Sequence, residues 1–219
     1  MIESDTMQDI SIYLPGILLA YSAFLLAIAS PGPNILAVIG TSMSVGRSSG
    51  MSLAMGVASG SFSWAILTVF GLSAILATYA SALLAIKTFG GLYLLWLAYK
   101  SFKSAASPHD IEATELAGGR RTPFGYLRRG YIIQMTNPKA ALAWIAIISL
   151  GLKEGAPLWV GAIIVLGTFL LSIAIHLIYA VAFSTPAMVR LYGKSRRLIQ
   201  GVLGTFFAFA GLKLLTSRE

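Results

Sequence analysis

The pattern of apolar and polar positions divides the chain into six long apolar runs. They lie at about 10–31, 49–77, 82–102, 124–151, 157–184 and 198–216. Most of them exceed the roughly 20 residues that an α-helix needs to cross a bilayer. The pattern therefore predicts an all-α, polytopic membrane protein with six transmembrane helices.

Two of these runs, the first and the fourth, are interrupted by proline beside asparagine. The first ends in Ser30-Pro31-Gly32-Pro33-Asn34, and the fourth contains Thr136-Asn137-Pro138-Lys139. Proline and glycine leave backbone groups unpaired, and such breaks persist in a membrane only beside protein or a polar cavity. Because 10–46 is too long for one straight crossing, we predict a helix, a break and a half-helix over 35–45.

The basic residues are concentrated in the connections on one side of the predicted bundle. The connections after the first, third and fifth runs contain Arg47, Lys100, Lys103, Arg120, Arg121, Arg128, Arg129, Arg190, Lys194, Arg196 and Arg197. The opposite side has only Lys87, Lys153, Lys213 and Arg218. Since Lys and Arg mark cytoplasmic loops, we predict that the basic side is cytoplasmic and that both termini are periplasmic. The polar segment 104–122 is predicted to be the main cytoplasmic loop.

An internal repeat relates the two halves of the chain. A shift of 105 positions carries Pro33 onto Pro138, and a shift of 113 carries Gly91 onto Gly204. Each half has three spans, and an odd number places the second half upside down relative to the first. The sequence therefore predicts two inverted three-helix repeats with interrupted first and fourth helices, an arrangement common in secondary transporters.

Composition and charge narrow the classes of protein. The chain is 57% hydrophobic and 11% charged, whereas a soluble domain carries about 25% charged residues. We predict one transmembrane domain over 1–219, with repeat halves at about 10–103 and 124–217. The basic residues that give the net charge of +8 lie at the predicted membrane edges. We therefore predict the lipid bilayer, not nucleic acid, as the partner. The absence of cysteine excludes a thiolate metal site, and we predict no metal or cofactor.

The two breaks supply complementary chemistry at membrane depth. A half-helix N-terminus presents N–H groups that suit a carboxylate, and the C-terminus of the preceding helix presents carbonyls that suit an ammonium group. Asparagine adds donors and acceptors without charge. This combination fits a zwitterionic amino acid, although a structural kink capped by asparagine is the alternative for each break. The predicted substrate site comprises Pro31, Gly32, Pro33, Asn34, Asn137, Pro138 and Lys139.

Two ionisable side chains inside the predicted spans are candidates for proton coupling. Lys139 could meet a substrate carboxylate, exchange a proton or extend to an aqueous cavity. His176 changes charge near neutral pH, although a hydrogen-bonded helix contact is the more common role of such a residue. No Asp or Glu lies within a span, so no buried carboxylate is available for coupling or for pairing with a cationic substrate.

The sequence is also compatible with other functions and with more than one helix contact. An intramembrane enzyme would need a nucleophile, an acid–base pair or a metal cluster, and the spans offer none beyond one histidine, so we predict that the chain is not an enzyme. A channel or a structural or regulatory membrane protein stays an alternative. Ser52, Gly56 and Gly60 follow one another at intervals of four, which predicts close helix packing within the chain or a homo-oligomer contact.

Four short motifs follow one another along the chain. The first break is followed by Gly46-Arg47-Ser48-Ser49-Gly50, then by Gly90-Gly91-Leu92-Tyr93-Leu94-Leu95-Trp96-Leu97-Ala98-Tyr99, and then by Asn137-Pro138-Lys139-Ala140. In these motifs the chain resembles the LysE/RhtB family of amino-acid exporters over nearly its whole length. The resemblance implies a bacterial inner-membrane secondary transporter that exports an amino acid or a close derivative, driven by an ion gradient. We expect a neutral substrate of the homoserine, threonine or leucine type and proton coupling.

One segment departs from the family pattern. The second break usually continues into a bulky, aromatic-rich run, whereas this chain reads Ala140-Ala141-Leu142-Ala143-Trp144. The smaller residues could enlarge a cavity or tighten the packing.

Overall fold

The computed structural model describes residues 2–29, 32–78, 82–107, 121–152 and 155–216, and side chains at 2–10, 72–78, 82–87, 186 and 189 lie outside that description. These ranges form eight helices: α1 (Ile2–Ala29), α2 (Pro33–Ser44), α3 (Arg47–Thr78), α4 (Ala82–Ala106), α5 (Pro123–Met135), α6 (Pro138–Gly151), α7 (Leu158–Ala182) and α8 (Pro186–Thr216). The predicted all-α architecture is confirmed for this part of the chain.

Several of these helices have the length and composition of membrane spans. Four stretches qualify within the described residues: Ser11–Ala29, Arg47–Gly71, Leu158–Ala182 and Arg190–Thr216. The shorter α6 is also apolar. Large apolar side chains cover the outside of the bundle, as at Leu158, which is 79% exposed. Such a surface suits lipid and is rare in soluble monomers, so the chain is a helical membrane protein.

Both predicted breaks are present at the expected places. α1 ends at Ala29 and α2 begins at Pro33, while α5 ends at Met135 and α6 begins at Pro138. Each proline occupies the first helical position, where its missing N–H costs nothing because that group would have no partner in the helix. The predicted half-helix over 35–45 is α2. The chain then turns into α3 through Gly46, whose φ of +124° is strained for any residue with a Cβ.

The prediction for the connection before the last helix was wrong. Arg190, Lys194, Arg196 and Arg197 were expected in a loop, but they lie inside α8, and the connection from α7 spans only residues 183–185. An apolar run marks only the part of a helix within hydrocarbon, and the helix can continue through the headgroup layer because its backbone bonds are internal. Likewise, α4 continues to Ala106, and 108–120 of the predicted loop lies outside the described residues.

Two hydrogen bonds place the basic connections at one end of the bundle. Arg47 Nε donates to Ser184 Oγ over 3.2 Å, which joins the α2–α3 turn to the α7–α8 turn. Arg196 donates to the carbonyl of Ser107 at the end of α4. We call this the basic end, defined by Arg47, Ser107, Ser184 and Arg196. Its existence agrees with the charge distribution expected from the sequence.

The tightest helix crossing joins α3 to α5. A Cβ added to Gly56 would lie 1.9 Å from the carbonyl oxygen of Leu127, and one added to Gly130 would lie 2.1 Å from that of Leu53. The two backbones therefore touch at both glycines. Gly60 also faces α5. Gly56 and Gly60 thus pack within one chain, as the first of the two sequence interpretations predicted for them.

The remaining helices bury two apolar cores. The larger core joins α1, α2, α3, α4, α6, α7 and α8 around side chains such as Phe24, Trp144 and Phe207. The smaller core joins α2, α3 and α5, with Ala180 of α7, around Val38 and Val57. α4 packs most extensively on α8, and α3 packs on both α5 and α7. These contacts hold the half-helices α1, α2, α5 and α6 together at their breaks.

Candidate functional site

The two breaks contact each other although they lie 100 residues apart in the sequence. Asn34, in the first turn of α2, donates through Nδ2 to Oε1 of Gln134 over 2.9 Å. Gln134 lies in the last turn of α5, just before the second break. On the other side, a Cβ added to Gly32 would lie 3.4 Å from Nζ of Lys139. The ends of four half-helices therefore meet at one place.

A small cavity lies at this junction. It is lined by Phe24, Ala27, Ile28, Asn34, Ile35, Ser61, Gln134, Asn137, Lys139, Ala140, Ala143, Trp144 and Ile147. The cavity encloses about 40 Å³, and one water molecule needs roughly 10–15 Å³ on this measure. The space therefore holds a few waters, and an amino acid would require the helices to separate.

The two asparagines have different local roles. Asn137 is 6% exposed, and its Oδ1 accepts a hydrogen bond from the backbone N–H of Lys139 over 3.0 Å. This bond caps the N-terminus of α6. By contrast, α2 begins after Gly32, and within the described residues no side chain caps its N-terminus. The positive end of α2 is therefore open toward the junction, while the corresponding end of α6 is closed by its own asparagine.

Replacement of Asn137 separates its capping role from any contact with a solute. We expect Asn137→Ala to lose the cap and about 1 kcal/mol of stability, which lowers the melting temperature by about 2–4 °C. Asn137→Ser should keep the cap, because serine accepts the same backbone hydrogen bond. Melting curves of the purified variants check this. Equal melting temperatures for Asn137→Ala and the unmodified protein would contradict the capping role.

Lys139 lies in the first turn of α6 and lines the cavity. Its side chain is partly exposed and lies against the first break, close to Gly32. Its backbone carbonyl accepts a hydrogen bond from the hydroxyl of Tyr93 on α4 over 2.9 Å. The ammonium group thus lies beside the open N-terminus of α2, and positive charge is concentrated on one wall of the cavity.

Two polar residues of the site were not predicted. Gln134 is 4% exposed, and its backbone carbonyl accepts a second hydrogen bond, from the indole N–H of Trp64 over 3.2 Å. A polar side chain in an apolar run, one turn before a break, was an available signal for it. Ser61 accepts from the indole of Trp144 over 3.2 Å. It had no sequence signal, because α3 contains several serines that bond only to their own helix, such as Ser59.

The predicted prolines shape the site without lining it. Pro33 and Pro138 are exposed and act by starting α2 and α6. Gly32 is buried and permits the close approach of Lys139. Pro31 lies outside the described residues. The predicted residues thus have two roles. Some of their side chains line the cavity, and the others determine where the helices begin and how closely they approach.

His176 lies away from the two breaks. It is buried in α7, with Nδ1 2.8 Å from the carbonyl oxygen of Ser172, four residues earlier. Its Nε2 has no hydrogen-bond partner within the described part of the chain. The residue does not line the cavity, so the structure does not bring it together with Lys139.

The short side chains after the second break lie at the cavity. Ala140 and Ala143 line it, whereas Leu142 is 41% exposed on the outside of the helix. Trp144 packs on Phe24 with ring centroids 5.3 Å apart. The alanines therefore border the space between α1 and α6, where larger side chains would reduce it, and Ala143 also belongs to the larger apolar core.

The sequence matches the family model described as LysE type translocator over residues 25–218. The chain belongs to this family. It is 30% identical over 203 residues to "Uncharacterized membrane protein YahN" of Escherichia coli K12 (92% of this chain, 90% of that protein). It is 31% identical over 202 residues to "Threonine efflux protein" of Salmonella typhi (89% and 94%), and 27% identical over 180 residues to "Leucine efflux protein" of Enterobacter sp. 638 (81% and 84%). No solved structure matches the chain. As a LysE-type translocator the protein is a transporter, not an enzyme.

Proposed function

We propose that this LysE-type translocator exports a neutral amino acid, of the homoserine, threonine or leucine type, or a close derivative, across the bacterial inner membrane. The observation that carries the proposal is the meeting of both helix breaks around a cavity with a cationic and an amide wall. Relatives at about 30% identity named as threonine efflux proteins support the amino-acid class.

The cavity lining fits the two charged groups of a zwitterion. The carboxylate binds beside Lys139 and the open N-terminus of α2, since both are positive and adjacent. The ammonium group of the substrate binds the amide oxygens of Asn34 and Gln134. No carboxylate lines the described cavity, so a cationic side chain has no counter-charge there. The apolar wall formed by Ala140 and Ala143 receives the substrate side chain.

The two halves, about 10–103 and 124–217, form inverted three-helix repeats in this proposal. The shift of 113 positions that carries Gly91 onto Gly204 also carries Phe102 onto Leu215. In a two-fold exchange of the halves, a contact of Gly91 with Leu215 then requires a contact of Gly204 with Phe102. Cβ atoms added to the two glycines would lie 2.5 Å from Leu215 and 2.7 Å from Phe102, respectively. This reciprocal pair between α4 and α8 supports the repeat and the six-span arrangement.

Transport proceeds by rocking of these halves around the junction. The cavity extends from the breaks between α1 and α6, away from the basic end, whereas the Asn34–Gln134 bond joins α2 to α5 on the side of the basic end. Breaking this bond and separating α2 from α5 would open the site to the other side. The positive-inside rule assigns the basic end to the cytoplasm and both termini to the periplasm.

Proton coupling is the further part of the proposal. Lys139 is the coupling candidate that lines the cavity, where substrate and proton would compete for one position. His176, buried in α7 outside the cavity lining, is the second candidate.

Efflux from cells loaded with a panel of labelled amino acids tests the proposed function. We expect one or a few neutral amino acids to leave faster from cells that express the chain, and an uncoupler to abolish the difference. Asn34→Ala should slow this efflux by about tenfold or more, because it removes one of the two amide oxygens proposed to bind the ammonium group, and a hydrogen bond to a charged group contributes about 1.5–3 kcal/mol.

Ser22→Ala is the matched control, because Ser22 is exposed on α1 and bonds only to its own helix. No export of any panel member by membrane-inserted protein would overturn the amino-acid proposal. Export that Asn34→Ala leaves unchanged would overturn the assigned site instead. Flux that persists with the uncoupler and does not saturate would indicate a channel.

A further inference from the structure

An open groove runs along the outer surface of α8. Its walls and floor are formed by Leu198, Gly201, Val202, Thr205, Phe206 and Phe209, and Arg197 stands at one end. The groove is shallow and wide open to the outside of the bundle, unlike the central cavity, which lies between helices. We call it the α8 groove. It lies apart from the breaks and plays no part in the proposed transport site.

No residue that the structure describes fills the groove. A Cβ added to its floor at Gly201 would meet nothing within 4 Å. Leu198 is 74% exposed and Phe209 is 60% exposed. The packing of the protein therefore does not require glycine at position 201, and the apolar walls are free for a molecule in the membrane.

A row of cations continues from the groove toward the basic end. Arg190, Lys194 and Arg197 are all exposed, and spacings of four and three residues place them on one face of a helix. α8 contains no acidic residue. The neighbouring Arg196 is 8% exposed and bonds to Ser107 instead, so it belongs to the interior.

The depth of these cations matches a headgroup layer. From Arg197 to Thr216, α8 rises by about 29 Å, close to the hydrocarbon thickness of roughly 30 Å. From Arg190 to Arg197 it rises by about 10 Å, which covers the adjoining headgroup region. With Thr216 at the opposite surface of the bilayer, these lengths place the groove at acyl-chain depth and the cations beside it at phosphate depth.

We propose that the α8 groove binds one anionic phospholipid from the leaflet at the basic end. Arg197 and Lys194 contact its phosphate, Arg190 adds charge, and an acyl chain lies over Gly201 between the apolar walls. Charge complementarity favours this occupant over a second copy of the chain. A two-fold axis along the membrane normal would bring the same three cations of each copy to the same depth, where they repel.

Lipid titration of the purified full-length protein, followed by native mass spectrometry, tests the site. We expect the first phosphatidylglycerol to bind at least about tenfold more tightly than phosphatidylcholine, since each basic residue near a membrane surface contributes about fivefold. The double variant Lys194→Gln/Arg197→Gln should lose most of this preference. Arg128→Gln/Lys213→Gln removes two exposed charges outside the groove and should keep it.

A second pair of variants fills the groove without changing charge. Gly201→Leu should weaken phosphatidylglycerol binding about tenfold, whereas Gly71→Leu, at another glycine with open space, should not. Equal lipid preference in the Lys194→Gln/Arg197→Gln and control variants would overturn the proposal. So would a change of oligomeric state caused by Gly201→Leu in neutral lipid, because the groove would then be a protomer interface. The lipid titrations and the oligomeric state are measured on purified protein, so their outcome does not depend on whether the protein transports an amino acid.

Discussion

Lys139→Met is expected to reduce amino-acid export about 100-fold or more while the protein remains folded. The ammonium group lies beside Gly32 and the open N-terminus of α2, on the cavity wall proposed to receive the carboxylate. Removal of one partner of a buried charge pair costs about 3–5 kcal/mol, which corresponds to a loss of at least about 100-fold in binding or transport. Methionine keeps the length of the side chain and removes only its charge.

The fold should tolerate this change because the backbone of residue 139 makes two hydrogen bonds that methionine retains. Tyr93 bonds to the carbonyl of Lys139, and Asn137 bonds to its N–H. Initial efflux rates at subsaturating substrate, corrected for the amount of inserted protein, measure the effect. Lys213→Met is the matched control, since Lys213 is exposed near the end of α8 and outside the cavity. Export by Lys139→Met within threefold of the unmodified protein would remove this lysine from the transport path.

Gly56→Leu is expected to prevent the protein from reaching a stable fold. A Cβ at this position would lie 1.9 Å from the carbonyl oxygen of Leu127, and neither atom belongs to a flexible side chain. α3 and α5 would have to separate along their whole crossing. Ordinary overpacking costs about 1–3 kcal/mol, and this case should exceed that range because two backbones must move.

The same separation would displace the transport site, because α5 carries Gln134 and α3 carries Ser61. Thermal melting and size-exclusion profiles of the purified protein measure the effect, with Gly56→Ala as an intermediate step. Gly71→Leu is the matched control, since Gly71 lies on the same helix with open space around it. A monodisperse Gly56→Leu protein that melts within about 3 °C of the unmodified one would show that the α3–α5 contact is not needed.

The breaks could be predicted because proline acts locally. Pro33 and Pro138 lack the N–H that a continuing helix needs and suit the first position of a new helix. Gly32 and Asn137 stand directly before them as N-cap residues, whereas Pro15, which has no such neighbour, lies inside α1. The partner of each break could not be predicted. Asn34 bonds to Gln134, and the sequence around either residue contains no signal that the two side chains meet.

The functions of individual polar residues depended on the same long-range contacts. Asn34 and Asn137 stand in similar motifs, yet one reaches across to α5 and the other caps its own helix. His176 had the right chemistry for a cavity residue but lies on a helix face outside the cavity lining. Chemistry is a property of the residue, whereas access to a cavity is a property of the helix arrangement.

The sequence by itself determined the all-helical membrane class, the places of both breaks, the clustering of cations and the family. These follow from run length, proline chemistry and charge, which act over one helix or less. Only the tertiary structure decided that the breaks meet around one cavity, that Gln134 and Ser61 join it, and that the cations of α8 stand on its outer face beside a groove. Those features depend on which helices are neighbours and how they are rotated, and glycines such as Gly56 and Gly130 set that arrangement through contacts between distant parts of the chain.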